Sequence, residues 1–171
     1  MADLQTIPRP SILWKQMTTD QRRQAAEAFW QDASGKNEQS EAIAAISQRF
    51  KIRTKSVVVF PLAKKVKYLL DLPALPESVA ARLLMSHHIE HRRPLMTGFL
   101  DALGVTHDNG MIPDETDIPK ELEKLRAAVH AIAASFPAED VALYLATLTW
   151  QDHETWSVLA EFPEAHIPGK W

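Results

Sequence analysis

The sequence contains no cysteine and few glycines. The absence of cysteine excludes disulfide frameworks, thiolate zinc sites and cysteine nucleophiles together. The five glycines among 171 residues never cluster into a loop that could cradle a phosphate. We therefore set aside P-loop and dinucleotide-binding chemistry.

Long hydrophobic runs are also missing. The longest apolar block, residues 141–150, is about half as long as a membrane-spanning helix requires. It predicts instead a central helix that is apolar on every side, with Trp150 in the interior. Residues 1–11 contain Asp3, Gln5 and Arg9, and they lack the apolar run and cleavage site of a secretory signal. The sequence therefore predicts a cytoplasmic protein with no membrane partner.

Each half of the chain is poor in charge of one sign. Residues 1–93 hold 15 Lys and Arg against 9 Asp and Glu, whereas residues 94–171 hold 4 against 13. Residues 49–67 include seven basic side chains and no acid, and acids dominate residues 108–123. We expect the two parts to attract one another and to neutralise each other, within the fold or across a homodimer.

The spacing of apolar residues predicts helices along most of the chain. Helices are expected from Thr18 or Thr19 to Asp32, over 38–50, over 62–71, from Glu77 to Pro94, from about Met96 to Gly104, from Pro119, from Pro137, and from Asp152. The prediction is one all-α domain over residues 1–171, a bundle of about seven or eight helices with a proline-containing break near Pro94. Residues 1–17 are expected to form an extended N-terminal arm that Ile12, Leu13 and Trp14 anchor to the body, and residues 163–171 a C-terminal tail.

Residues 57–60 favour two different structures. The β-branched residues Val57, Val58 and Val59 favour a strand, but a single short strand without a partner is unstable. Pro61 suits the first turn of a new helix. We therefore expect a short helix, a break at Pro61 and a second helix.

The helix from Glu77 carries three histidines near its end. At about 100° per residue, His87, His88 and His91 share one arc with Ala80 and Leu84, so the imidazoles are expected to face the core. Residues 87–91 also match the H-x-x-E-H pattern, and in these five residues alone the chain resembles the inverted zinc peptidases. That resemblance implies zinc held by His87 and His91, with Glu90 as the catalytic base.

A third ligand would be needed for such a metal site. The candidates are His88, His153, Glu154, Glu161 and His130. Inverted zinc peptidases are larger αβ proteins, so a divalent metal in a helical bundle, or a metal-dependent hydrolase of another type, is the more general alternative. A structural explanation competes with it, because imidazole and arginine donors near Pro94 complement a helix C-terminus. The leading expectation is no cofactor.

Residues 46–60 also have the apolar spacing of a helix-turn-helix unit. Ile46, Phe50, Ile52, Val57 and Phe60 occupy the packing positions. Val58 and Val59, however, stand where polar side chains would read base edges. DNA binding is therefore an alternative and not the leading prediction.

Every one of these patterns has a sufficient structural explanation. The sequence therefore predicts a non-enzymatic helical protein that acts by binding another macromolecule or by self-association. The terminal tryptophans Trp14 and Trp171 further suggest arms that exchange contacts in a homodimer.

Overall fold

The computed structural model describes residues 8–166. These residues form ten α-helices and no β-strand, so the all-α prediction is confirmed. In chain order the helices are α1 (Pro10–Gln16), α2 (Thr19–Gln31), α3 (Lys36–Phe50), α4 (Thr54–Val58), α5 (Leu62–Leu70), α6 (Glu77–His91), α7 (Arg93–Leu103), α8 (Leu122–Ser135), α9 (Ala138–Gln151) and α10 (His153–Trp156). Two 3₁₀ turns follow, at Ser157–Glu161 and Pro163–Ala165.

The chain divides into two compact units. The N-terminal unit is Arg9–His91, and the C-terminal unit begins at Arg92 and contains the described residues that follow. The division falls at the break near Pro94, which is confirmed because α6 ends at His91 and α7 begins at Arg93. Proline in the first turn of α7 fixes its own φ and lacks an amide hydrogen, so it starts a helix and cannot continue one. The single domain over residues 1–171 stays a prediction.

In the N-terminal unit, α2 packs against α5 and α6, and α6 also contacts α1 and α3. Thr18 starts α2 with a capping box, in which its hydroxyl accepts from the Gln21 amide and the Gln21 side chain accepts from the Thr18 amide. The largest fully buried apolar side chains of this unit are Leu13, Met17, Phe29, Ile46, Leu69, Leu83 and Leu84.

The predicted N-terminal arm is wrong for residues 10–16, which form α1. Pro10 occupies the first turn of this helix, where its fixed φ is favourable. Leu13 and Trp14 are buried, so apolar burial and not an extended conformation holds this segment. The prediction of exchanged terminal arms falls otherwise on residues 1–7 and 167–171, outside the described residues.

In the C-terminal unit, α7 packs against α8, and α9 contacts α7, α8 and both 3₁₀ turns. Residues 141–149 of α9 are buried on every side, as the continuous apolar run predicts. Trp150, expected in the interior, is instead exposed, because it lies in the last turn of α9 beyond the buried stretch. Of the tail, residues 163–166 are described, and Ala165 is fully buried.

Two boundaries in this unit differ from the prediction. α8 begins at Leu122 and not at Pro119, and the last helix is a four-residue α10 followed by a 3₁₀ turn. Asp152 caps α10 as predicted, with its carboxylate accepting from the Thr155 amide at 3.2 Å.

Candidate functional site

The histidines of α6 divide between core and solvent. His87 and His88 are buried, as predicted, whereas Glu90 and His91 are exposed. The inward direction is therefore confirmed for two imidazoles and wrong for His91. The last turn of α6 borders a cavity of about 180 Å³, which Glu90 and His91 line together with Ala28, Gln31 and Asp32 of the α2 end.

The predicted metal ligands do not form a group. The ring centroids of His87 and His91 lie 6.1 Å apart, further than the roughly 5 Å expected for two imidazoles bound to one tetrahedral ion. Within residues 8–166 there is no group of three or more His, Asp or Glu side chains arranged to hold a metal. His153 and Glu154 are exposed at the start of α10. The metal site at His87 and His91 stays a prediction that this geometry does not favour.

Besides Glu90, the carboxylate that lines this cavity is that of Asp32, which is engaged in local structure. Asp32 accepts hydrogen bonds from the Ser34 hydroxyl at 2.6 Å and the Ser34 amide at 2.9 Å. The Ser34 hydroxyl is the main cause that lowers the pKa of Asp32, and the Arg82 guanidinium at 3.6 Å adds to it. Arg82 also pairs with Glu38. This network joins the α2–α3 connection to α6, and it explains Asp32 without a ligand.

A different feature stands out in residues 49–67. Six basic side chains here are exposed: Arg49, Lys51, Arg53, Lys55, Lys64 and Lys67. We call them, together with the exposed apolar side chains Val58, Val59 and Leu62, the basic surface. Among the described residues, no ion pair involves any of its basic members. By contrast, Arg23 and Arg82 of the same unit each pair with two carboxylates.

The apolar part of the basic surface is a turn between two helices. Val58 is 49% exposed, Val59 77% and Leu62 38%, at the end of α4, in the linker and at the start of α5. Sequence reasoning considered the two valines as a choice between helix and strand and as positions in a helix-turn-helix unit, and it did not predict an exposed apolar surface. Pro61 was the signal available, because it separates α4 from α5 and so leaves the preceding valines at a turn.

Aromatic side chains pack together next to this turn. Phe60 stacks on Tyr68 with 5.4 Å between ring centroids, and Phe50 meets the same ring edge-on at 5.0 Å. The Lys64 ammonium lies 4.2 Å from the Phe60 ring centroid, and Val57 is fully buried. The exposed valines are thus presented on a fixed support.

The helix-turn-helix interpretation is only partly matched by the coordinates. Ile46 and Val57 are buried between α3 and α4, as that unit requires. The second helix, however, contains five residues and ends at Val58. A recognition helix of so few residues offers little surface to a major groove, and its exposed valine cannot read the polar edges of bases.

The acids of residues 108–123 are exposed in the C-terminal unit. They are Asp108, Asp114, Glu115, Asp117, Glu121 and Glu123. We call these side chains, together with the exposed Met111 and Leu122, the acidic surface. Among the described ion pairs only Glu121 of this set takes part, with Lys124 at 3.7 Å.

Internal contacts hold the first part of this segment in place. Asp108 and Met111 exchange two backbone hydrogen bonds of 2.7 and 2.9 Å. The His107 ring bonds the Asp101 carboxylate at 2.7 Å and accepts from the Gly110 amide at 2.9 Å. A side chain at Gly110 would lie 3.1 Å from Met96 Cβ, so the turn needs a glycine there. Met111 is therefore displayed by an ordered turn.

Comparison with family models, with curated proteins and with solved structures gives no match. No helix in the described part of the chain is both long enough and apolar enough to cross a bilayer.

Proposed function

We propose that the protein acts by binding another macromolecule, and that the basic surface binds an acidic region of a protein partner. The observation that carries this proposal is Val59, 77% exposed on a rigid turn within a segment that has no acidic residue. Exposed apolar side chains beside charges of one sign are typical of interaction sites. Covering each of these side chains contributes on the order of 1 kcal/mol.

The support of the turn favours binding in a second way. Phe50, Phe60 and Tyr68 already order this segment, so a partner does not have to order it. Less conformational entropy is then lost on association. The cations of the basic surface, which form no ion pair within the described part of the chain, would pair with carboxylates in the complex and steer an acidic surface into place.

Among acidic macromolecules, a protein fits better than a nucleic acid or a membrane. Valines at the turn make no hydrogen bonds to phosphates or base edges. The nine-residue α5 buries Val66 and Leu69 in its own unit, so it has no long apolar face to lie in a lipid interface. Apolar side chains surrounded by acids on a protein partner would match both parts of the basic surface.

The test compares three defined probes by calorimetric titration at low salt. They are a peptide alternating glutamate and leucine, a peptide of glutamate alone, and a 20-base-pair DNA duplex. We expect the glutamate–leucine peptide to bind most tightly, and Val59→Ser and Lys51→Glu/Lys55→Glu to weaken it by about tenfold. The control Lys15→Glu/Lys36→Glu alters two exposed lysines of the same unit outside the basic surface, and it should bind normally. Tightest binding of DNA, or no binding of any probe, would contradict the proposal.

A further inference from the structure

We propose that the acidic partner is a second copy of this chain, whose acidic surface docks on the basic surface of the first copy. This inference rests on the proposed function and names its partner. It is carried by a match in charge and in apolar character between two surfaces of one sequence.

The opposite charges are concentrated in two separate segments of the sequence. Residues 49–67 carry seven basic side chains and no acid, whereas residues 108–123 carry six acids and one lysine. All six acids are exposed, as are six of the seven basic residues. Opposite charges presented by two copies attract one another, and like surfaces repel, so the contact joins different surfaces.

The apolar match lies within the same two segments. Met111 is 40% exposed and Leu122 45%, each among acidic neighbours. On the other side, Val58, Val59 and Leu62 are exposed among basic residues. Arg49 and Lys51 also line a groove of about 410 Å³ whose remaining walls include Leu72 and Ala74. A flexible methionine side chain is well suited to such a shallow recess.

Each surface includes a turn that is held by contacts within its own unit. Aromatic packing supports the turn of the basic surface, and the Asp108–Met111 backbone pair closes the turn that carries Met111. Because the two surfaces are different, each copy can bind one neighbour with each of them. The contact therefore produces either reciprocal dimers or growing assemblies, and both depend on salt.

The experiment is sedimentation velocity of the full chain from micromolar to about 0.5 mM. We expect concentration-dependent association in 50 mM NaCl that weakens about tenfold or more in 500 mM NaCl, because salt screens exposed charges. Val59→Ser should weaken it as well, with Ala44→Ser on the exposed face of α3 as the control. A monomer at every concentration in low salt would overturn the inference.

Charge reversal gives the sharper test. Lys51→Glu/Lys55→Glu reverses part of the basic surface, and Asp114→Lys/Asp117→Lys reverses part of the acidic one. Each variant alone should associate far more weakly than the original chain, because reversing two of the six charges lowers the net charge of that surface from six to two and sets like charges against each other at the substituted positions. An equimolar mixture should associate, since the intact acidic surface of the first variant meets the intact basic surface of the second. Lys15→Glu/Lys36→Glu and Glu161→Lys should associate like the original chain, and circular dichroism checks that every variant is folded.

The two proposals can fail separately. If the chain stays monomeric while the glutamate–leucine peptide still binds the basic surface, the second-copy inference is wrong and the proposed function stands. If neither association nor peptide binding occurs, both are wrong. Undiminished association of either charge-reversed variant by itself would also overturn the inference, because the contact would then not use these surfaces.

Discussion

Lys51 ends α3 in the left-handed conformation, with φ of 58°. This conformation is costly for a residue with a Cβ and free for glycine, which is the usual residue at this position. The lysine therefore holds a positive charge on the basic surface at the expense of stability.

We expect Lys51→Gly to raise the free energy of unfolding by about 1 kcal/mol, measured by urea denaturation. The same variant should weaken self-association, because one cation of the basic surface is lost. Lower stability in the glycine variant would show that contacts of the lysine side chain outweigh its backbone strain.

Asp32 gives a prediction about pH. Its pKa is lowered in the folded chain, chiefly by the Ser34 hydroxyl, so folding favours the charged carboxylate. The stabilisation is present at neutral pH and is lost as pH falls below the ordinary aspartate pKa of about 4. Asp32→Asn should therefore be less stable than the original chain at pH 7, and this difference should shrink by pH 3. The exposed Asp71→Asn serves as the control, and an equal difference at both pH values would contradict the assignment.

The ion pair of Arg92 and Asp140 is a feature of the C-terminal unit that sequence reasoning missed. The two groups approach to 3.0 Å, and the Asp140 side chain is only 9% exposed. Asp140→Ala should cost about 2 kcal/mol of unfolding free energy, because it leaves a guanidinium largely buried without its carboxylate. Thermal or urea unfolding measures this, with exposed Glu139→Ala as the neighbouring control. If Asp140→Ala lowers the unfolding free energy no more than Glu139→Ala does, the ion pair has no structural role.

At the scale of elements, α6 is best described as a core helix with two imidazoles in its buried stripe. His87 and His88 occupy positions that leucine and alanine fill one and two turns earlier. We expect equal melting temperatures with chelator and with added zinc, nickel or manganese, because no third ligand accompanies His87 and His91 in the described chain. A melting temperature that rises with one metal in the original chain, but not in His87→Ala, would support the metal site.

In α4 and the turn before α5, packing against neighbouring helices decides the secondary structure of the segment. Val57 to Val59 have the composition of a strand, yet residues 54–58 are helical. Val57 is buried in the contact of α4 with α3, and the following valines are left at a proline-terminated turn. The helix-break-helix prediction was correct here because a lone strand has no hydrogen-bonding partner.

At the scale of the whole molecule, the division at His91 gives a testable expectation. The N-terminal unit contains buried side chains from all six of its helices, among them Leu13, Phe29 and Ile46. We expect a fragment of residues 9–91 to be helical and to melt cooperatively, although with lower stability than a longer domain because it buries less surface. Circular dichroism during heating measures this. An unstructured fragment would support the single domain that the sequence predicts.

The division also places the opposite charges of the sequence on different units. The basic residues 49–67 belong to the N-terminal unit, and the acidic residues 108–123 to the C-terminal unit. The sequence predicted attraction between these regions. Because the charged side chains of both regions are exposed, we propose that this attraction acts between copies of the chain.

The sequence by itself determined the helical class, the break near Pro94 and the central position of α9, because these follow from apolar periodicity and from the backbone limits of proline. Only the tertiary structure decided which side chains of each helix are covered. It turned His91 and Trp150 to solvent, buried Trp14 in a helix and exposed Val59. Burial depends on where a neighbouring helix ends, and that position is not encoded in the periodicity of the helix itself.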